Sequence, residues 1–370
     1  MNGRDVAAFI DVPWQLPELT ESQYWVPPLR MMVADVLDTK GNPFYQRAAR
    51  ALFIAKRDGR PVGRVAAIEY RAHNEFHNDR IGFFGFFECK DDPEAARQLF
   101  ASAESWLKGR GLTVMRGPMS PSTNHECGLL VDGFDQHPSF QTPWNPEYYE
   151  RLVTGAGFTT CKDLLGYWLP YAEKGFQLDP RLAAMAERAA KKAGMTFRDV
   201  RLNKFEEDVQ ICWDVYNGAW EKNWGFVPMT RDEFWHMSKD MKALIVPQFA
   251  FIAEVKGEPA GFFLAVPDFN LVFKKIKNGR LLPFGLFHIL LGKSKLRAGR
   301  LMALGIKEKF RSGSILPVFM YEAAKRAIAW GSPGAEASWI LEDNQAMRQP
   351  TESFGGRIYR RWRIYDRPIK

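Results

Sequence analysis

A ten-residue phrase occurs twice in this chain, and no other feature narrows the fold as much. Ile54 to Gly63 reads IAKRDGRPVG and Ile252 to Gly261 reads IAEVKGEPAG, with Ile, Ala, Gly, Pro and Gly in register. Each copy predicts a β-hairpin, because an apolar run enters a Gly-x-Pro-x-Gly turn and a second apolar run leaves it. A second pair of landmarks repeats at nearly the same offset: Asn145 with Gly157 in NPEYYERLVTGAGF, and Asn344 with Gly356 in NQAMRQPTESFGG. Both predict a strand end, a short helix and a closing glycine. One fold built twice accounts for both repeats.

Length and composition agree with that reading. At 370 residues the chain exceeds the size at which one hydrophobic core keeps growing. A hydrophobic share of 46% and a charged share of 25% are those of a folded globular protein and exclude a disordered one. Cys89, Cys127, Cys161 and Cys212 form no CxxC pair and have no metal-ligand spacing with any histidine, so a reducing cytoplasm is expected and a metal is not. The N-terminal residues carry acidic and aromatic side chains where a signal peptide needs a basic head and an apolar core. No apolar run approaches the roughly 20 residues that span a bilayer.

The net charge of +8 is local. Leu271 to Arg300 holds Lys274, Lys275, Lys277, Arg280, Lys293, Lys295, Arg297 and Arg300 and no acidic residue, which leaves the rest of the chain balanced. Between the two basic clusters runs GRLLPFGLFHILLG, Gly279 to Gly292, almost wholly apolar. An apolar stretch with basic flanks is what lies down on an anionic membrane, so a peripheral position at the inner membrane surface is expected. The alternative is a buried hairpin or helix with solvated flanks. Nucleic acid is not expected as a partner, because basic and aromatic residues are not interleaved as stacking platforms.

Along the chain, residues 1–45 read as an extended lead-in, 46–172 as a first domain, 173–195 as a connecting helix and 196–370 as a second domain with the insert at 271–300. The helix starts are marked: Asp92 before Pro93, Asp179 before Pro180, and Thr230 with Glu233 as a capping box. In the second half the order is strand, helices, three strands, helix, strand, helix, strand, with the helices expected on both faces of a mixed sheet.

In that half, RLMALGIKEKFRSGSILPVFMYEAAKRAI followed by ASWILEDNQAM resembles the GCN5-related N-acyltransferase (GNAT) superfamily. The resemblance implies an α+β chain of two tandem GNAT-like domains, each a mixed, mostly antiparallel sheet flanked by helices. It implies acyl-CoA as co-substrate, held where a strand leads into an Arg/Gln-x-x-Gly-x-Gly/Ala loop. Backbone N–H groups at a helix start bind phosphate on physical grounds alone. Here that loop is Arg311-Ser312-Gly313-Ser314-Ile315, one residue short of the usual spacing, with Asn344 after the next strand. The first half has no such loop: its strand ends in Glu88-Cys89-Lys90-Asp91-Asp92-Pro93, where two carboxylates repel a pyrophosphate, so only the second half is expected to hold coenzyme A and the first is read as degenerate.

GPMSPSTNHECGLLVDGFDQHP (Gly117 to Pro138), NPEYYERLVTGAGF and SWILEDN together resemble the double-domain acyltransferases that include bacterial ceramide synthases. What this implies is an N-acyltransferase that moves a long-chain acyl group from acyl-CoA to a lipid-like amine such as a sphingoid base. A non-catalytic acyl-CoA or lipid-binding protein with a decayed site is the alternative.

The chemistry asks for a proton acceptor, a donor for the carbonyl oxygen and a leaving thiolate. The donor is expected on the strand Leu304-Gly305-Ile306, where the family opens a gap between strands and Gly305 allows close backbone approach. For the proton acceptor the candidates are His125, whose ordinary pKa lies nearest neutrality, and the carboxylates Glu126, Glu308 and Asp343. Each has a plainer alternative, a loop hydrogen bond, a helix cap or, for Glu308, exposure between Lys307 and Lys309. The place of the family's tyrosine that protonates the thiolate falls on Thr351, so Tyr321 or Tyr359 would have to substitute, or the thiolate leaves unassisted.

Overall fold

The first copy of the repeated phrase folds as strands β1 (Ala48–Arg57) and β2 (Arg60–Tyr70), joined at Asp58 and Gly59, whose φ values are +51° and +78°. Positive φ at both central residues is the two-residue turn whose twist matches the strands it joins. The turn is therefore shorter than the expected Gly-x-Pro-x-Gly, and Pro61 and Gly63 lie in the returning strand. The register slips between Ala55 and Lys56, beside Pro61, where a missing N–H costs nothing to a ladder already interrupted. This computed structural model describes residues 3–172, 178–221, 223–311 and 315–370. The chain divides into two units: residues 1–164, 270–292 and 360–370 form one, and residues 165–269 and 293–359 the other.

In the first unit β3 (Ile81–Cys89) pairs antiparallel with β2, and β4 (Val114–Gly117) pairs parallel with β3. The long loop after β4 is more structured than its Ser/Thr/Pro content suggests. It holds β5 (Met119–Ser120) paired with β6 (Glu126–Cys127), then β7 (Leu129–Asp132). The closing strand Arg357–Pro368 pairs with both β4 and β7 through residues 361–368. Helix Pro93–Lys108 starts where Asp92 accepts hydrogen bonds from the Glu94 and Ala95 amides, and it buries Ala95, Ala96, Leu99, Phe100, Ala103 and Leu107 on one stripe. Phe100 stacks on Phe87 at 4.8 Å and meets Phe84 edge-on at 5.2 Å, so one aromatic cluster ties that helix to β3. β8 (Thr159–Pro170) then takes the chain into the other unit at Leu165.

The second unit opens with helix Pro180–Ala193, capped by Asp179 and ended by Gly194 at φ +62°. β9 (Met195–Asp199), helix Phe205–Ala219 and helix Arg231–Met241 follow, the last with both hydrogen bonds of the Thr230/Glu233 capping box. The second repeat forms β10 (Ala250–Val255) and β11 (Glu258–Pro267), again turning on two residues of positive φ, Lys256 and Gly257, and again slipping register two residues before the turn. β12 (Gly299–Ile306), helix Ile315–Ala329, β13 (Gly334–Leu341) and helix Gln345–Ser353 complete it. The strand order is β13-β12-β11-β10-β9, antiparallel except for β12 and β13. Phe251 stacks on Phe263 at 4.7 Å, and Phe319 of helix Ile315–Ala329 packs against the pair. Each unit thus carries the expected mixed, mostly antiparallel sheet flanked by helices. No helix among the described residues is long and apolar enough to cross a membrane.

Candidate active site

β12 and β13 run side by side for only three residue pairs, Gly299/Ala335, Arg300/Glu336 and Leu301/Ala337. β12 continues to Ile306 and β13 to Leu341, so beyond Leu301 the two strands part. The register between β11 and β12 slips at the same level, between Leu264 and Ala265, where an extra residue bends β12. Among the described residues β12 has only β11 and β13 as neighbours, so the backbone of residues 302–306 that faces away from β11 has no strand partner. The next α-helix after β12 is Ile315–Ala329, whose first turn holds no acidic residue. A helix start placed just past a parted strand offers unpaired N–H groups and the positive end of the macrodipole.

The parting point is pinned from beneath by a buried polar network. Arg300 is 3% exposed and Glu336 fully buried. The Arg300 guanidinium donates through Nε to Ser338 Oγ at 2.9 Å and lies 3.7 Å from Glu336 Oε1. Glu336 also accepts from the hydroxyls of Ser338 and Tyr359. A buried ion pair holds only when its remaining lone pairs are met, and here the Ser338 and Tyr359 hydroxyls meet them. Arg300, counted in the sequence with the basic flank, is thus a core residue. The signal that could have found the pair is a lone carboxylate in the apolar strand GAEASWI.

Of the residues expected in this half, Leu304, Gly305 and Ile306 end β12, Arg311 follows it and Ile315 opens the next helix, while Ser312, Gly313 and Ser314 lie outside the described residues. A Cβ on Gly305 would stand 3.2 to 3.3 Å from Phe262, Val215 and Ala219, so this glycine lets helix Phe205–Ala219 lie close on the strand. Arg311 donates through Nε to the Ile306 carbonyl at 2.9 Å and through its terminal nitrogen to the carbonyls of Gly218 and Ala219, which joins the strand end to the negative end of that helix. Glu308, on a short turn of helix next to Lys309, is exposed. At the end of β13, Asn344 caps the next helix by accepting from the Met347 amide at 3.2 Å, and Asp343 beside it is exposed. Tyr321 points elsewhere: its hydroxyl donates to Glu187 of helix Pro180–Ala193 at 2.9 Å, a bond that raises its pKa. Thr351 is fully buried and donates to the Met347 carbonyl.

His125 and Glu126 belong to the first unit. His125 Nδ1 lies 2.9 Å from Ser122 Oγ, and its ring meets Phe44 edge-on. Glu126 is exposed and acts electrostatically on a residue the sequence reading passed over, Glu88. Glu88 accepts from the Tyr149 hydroxyl at 2.8 Å and sits 3.8 Å from the Arg64 guanidinium. Burial pushes its carboxyl up to about 7 against the pull of Arg64 and Tyr149, and Glu126 adds to the rise. A carboxylate closing the apolar run IGFFGFFE was the available signal.

No family model matches the chain. Among curated proteins it is 32% identical over 375 residues to Protein YghO of Escherichia coli (strain K12), covering 100% of this chain and 94% of that one. It is 33% identical over 372 residues to a bacterial ceramide synthase of Caulobacter vibrioides, covering 99% and 95%. Among solved structures, a tandem GNAT protein from the clavulanic acid biosynthesis pathway matches with a TM-score of 0.55 at 12% identity, covering 100% and 96%. A GCN5-related N-acetyltransferase from Sphaerobacter thermophilus matches with a TM-score of 0.53 at 13% identity, covering 100% and 94%. At such identities the structural likeness speaks for the fold.

Proposed function

The chain belongs to the tandem GCN5-related acyltransferase family that includes the bacterial ceramide synthase, and from that premise we propose that it moves a long-chain acyl group from acyl-CoA to a lipid-like amine. The acceptor class is a sphingoid base, and the work is done from the cytoplasm at the inner membrane surface. The observation that carries this reading is the parting of β12 from β13 after Leu301, followed by a helix start free of acidic residues.

A helix whose first turn holds no acidic residue suits an anionic co-substrate. Acyl-CoA supplies the activated thioester, and the amides of Ser312, Gly313, Ser314 and Ile315 are the groups that would hold its pyrophosphate. A backbone N–H on the strand Leu304-Gly305-Ile306, one that faces away from β11, is assigned to the charge that develops on the carbonyl oxygen, with Asn344 holding the opposite strand end. Arg311 acts by tying the end of β12 to helix Phe205–Ala219 rather than by pairing with phosphate, since its guanidinium lies on three carbonyls. The proton acceptor is drawn from His125, Glu126, Glu308 and Asp343, and the pH profiles of the four single substitutions tell them apart. Tyr321 is left as a weak candidate for thiolate protonation by its bond to Glu187.

Thiol release from long-chain acyl-CoA in the presence of sphinganine or 3-ketosphinganine tests the proposal, and release that depends on the amine is expected. Binding of acyl-CoA without release, whatever amine is offered, favours instead a non-catalytic acyl-CoA or lipid-binding protein. The specific observation on that side is the buried Thr351 in the place of the family's tyrosine.

A further inference from the structure

The insert between β11 and β12 divides into two parts with opposite surroundings. Residues 270–279 are docked into the first unit. Val272, Phe273 and Ile276 are buried, and Asn270 donates to the carbonyls of Pro138 and Ser139 at 2.8 and 3.0 Å. Trp14 donates to the Lys277 carbonyl and Arg30 to the Asn278 carbonyl, at 2.8 and 2.7 Å. A Cβ on Gly279, at φ +65°, would lie 2.4 Å from the Trp14 ring, so the chain turns tightly against that ring.

Residues 282–291 are the reverse. Leu282, Phe284, Phe287, Leu290 and Leu291 are 68%, 73%, 60%, 64% and 71% exposed, which puts the most exposed large apolar side chains of the described chain within ten residues. Helix Gly285–Lys293 is apolar nearly all round, and a helix of that kind belongs in a core or in lipid. At its base Lys275, Lys277 and Arg280 are exposed, and no acidic residue lies between Leu271 and Arg300. Apolar tip and cationic collar together match one surface, an anionic bilayer, and a water-exposed patch of this kind is otherwise a liability.

We propose that Leu282–Leu291 enters the acyl-chain boundary of a membrane while Lys275, Lys277 and Arg280 lie among anionic headgroups. This rests on the membrane part of the proposed function and not on its chemistry. Flotation of the full chain with vesicles containing phosphatidylglycerol is expected to recover the protein with the lipid, and phosphatidylcholine vesicles are expected to recover much less. Replacing Phe284, Phe287, Leu290 and Leu291 together by serine should weaken vesicle binding by at least about 100-fold. The Lys275→Glu, Lys277→Glu, Arg280→Glu variant should remove the preference for the anionic vesicles. Thermal unfolding of both variants should be unchanged, because the replaced side chains are exposed. Phe287→Trp, read against the wild type, should add fluorescence that brominated acyl chains quench.

Vesicle binding that survives the four serines overturns the inference. So does a wild-type dimer that the four serines dissolve, together with no binding to either vesicle, since the patch then covers a second copy of the chain. In either case the thiol-release assay with soluble components still decides the acyl-transfer reading.

Discussion

The same strand-to-helix segment occurs in both units and is finished in opposite ways. In the first unit β3 and β4 also pair in parallel for only three residues, from Ile81/Val114 to Phe83/Arg116, but main chain takes up the space beyond. A Cβ on Gly85 would lie 1.8 Å from the Met119 carbonyl oxygen, and the Phe86 amide donates to Ser120 Oγ at 2.9 Å. The following helix start is closed too, because Asp92 accepts from its first amides and is itself paired with Arg57. In the second unit one edge of β12 has no strand partner beyond Leu301 among the described residues, and the helix that follows starts without an acid. Matching the hairpins at Gly63 and Gly261 sets Glu88 against Gly305, Arg64 against Phe262 and Phe83 against Arg300. One segment is therefore closed by main chain and by the Asp92 cap, whereas the other leaves an edge of β12 without a strand partner among the described residues, although both keep the same hairpin and strand plan.

The largest effect expected from disturbing this difference is at Arg300. Arg300→Met leaves Glu336 buried without its cation and should cost about 3–5 kcal/mol in urea unfolding, while Arg300→Met with Glu336→Met should cost much less than the two single changes summed. Additive losses would mean that the two residues do not act as a pair. Next comes Gly313→Asp, which puts an acid into the sequence two residues before helix Ile315–Ala329, as Asp92 stands before the first unit's helix. A carboxylate about 5 Å from a phosphate costs about 3 kcal/mol at an effective dielectric of about 20, or about 100-fold in acyl-CoA affinity by calorimetry, with the unfolding midpoint unchanged. Unaltered affinity would remove the segment 311–315 as the proposed anion site.

Smaller is the pH dependence that Glu88 gives the first unit. Its folded pKa, about 7, lies above the ordinary glutamate value, so the native state holds the proton longer than the unfolded chain does. Stability contributed by this group is present below about pH 4 and is lost as pH rises toward 7, by up to about 2 kcal/mol given that water reaches 19% of the side chain. Glu88→Gln should flatten that slope, and equal slopes in the two proteins would show that Glu88 does not set it. The smallest change separates the two caps. Asp92→Ala and Asn344→Ala should each cost about 1 kcal/mol in unfolding. Only the second, at the end of β13, should also reduce acyl-CoA affinity; equal affinities would place Asn344 outside the site.

Much of the architecture was legible because local rules agree with it. The repeated phrase located both hairpins, and Asp92, Asp179 and Thr230 with Glu233 marked helix starts that the structure contains. The turn inside the phrase was misplaced because Pro61 looks like a turn residue, whereas Asp58-Gly59 makes the turn and the proline sits at a register slip. Asn145 and Asn344 looked alike in sequence, yet only Asn344 caps its helix; Asn145 bridges to the backbone of Leu130. The polar core was the least legible part. Arg300 was counted with the basic flank, and although the carboxylates in GAEASWI and IGFFGFFE hint at burial, only the pairing of distant strands shows that Glu336 faces Arg300 and Glu88 faces Arg64.

The first unit draws its parts from three separate stretches, and the last of them, residues 360–370, brings the fully buried Trp362, Ile364 and Tyr365. A ribosome releases that stretch after all the rest of the unit, so the part that begins synthesis first is among the last to reach its final form. Shortening the chain at its far end should consequently unmake its beginning.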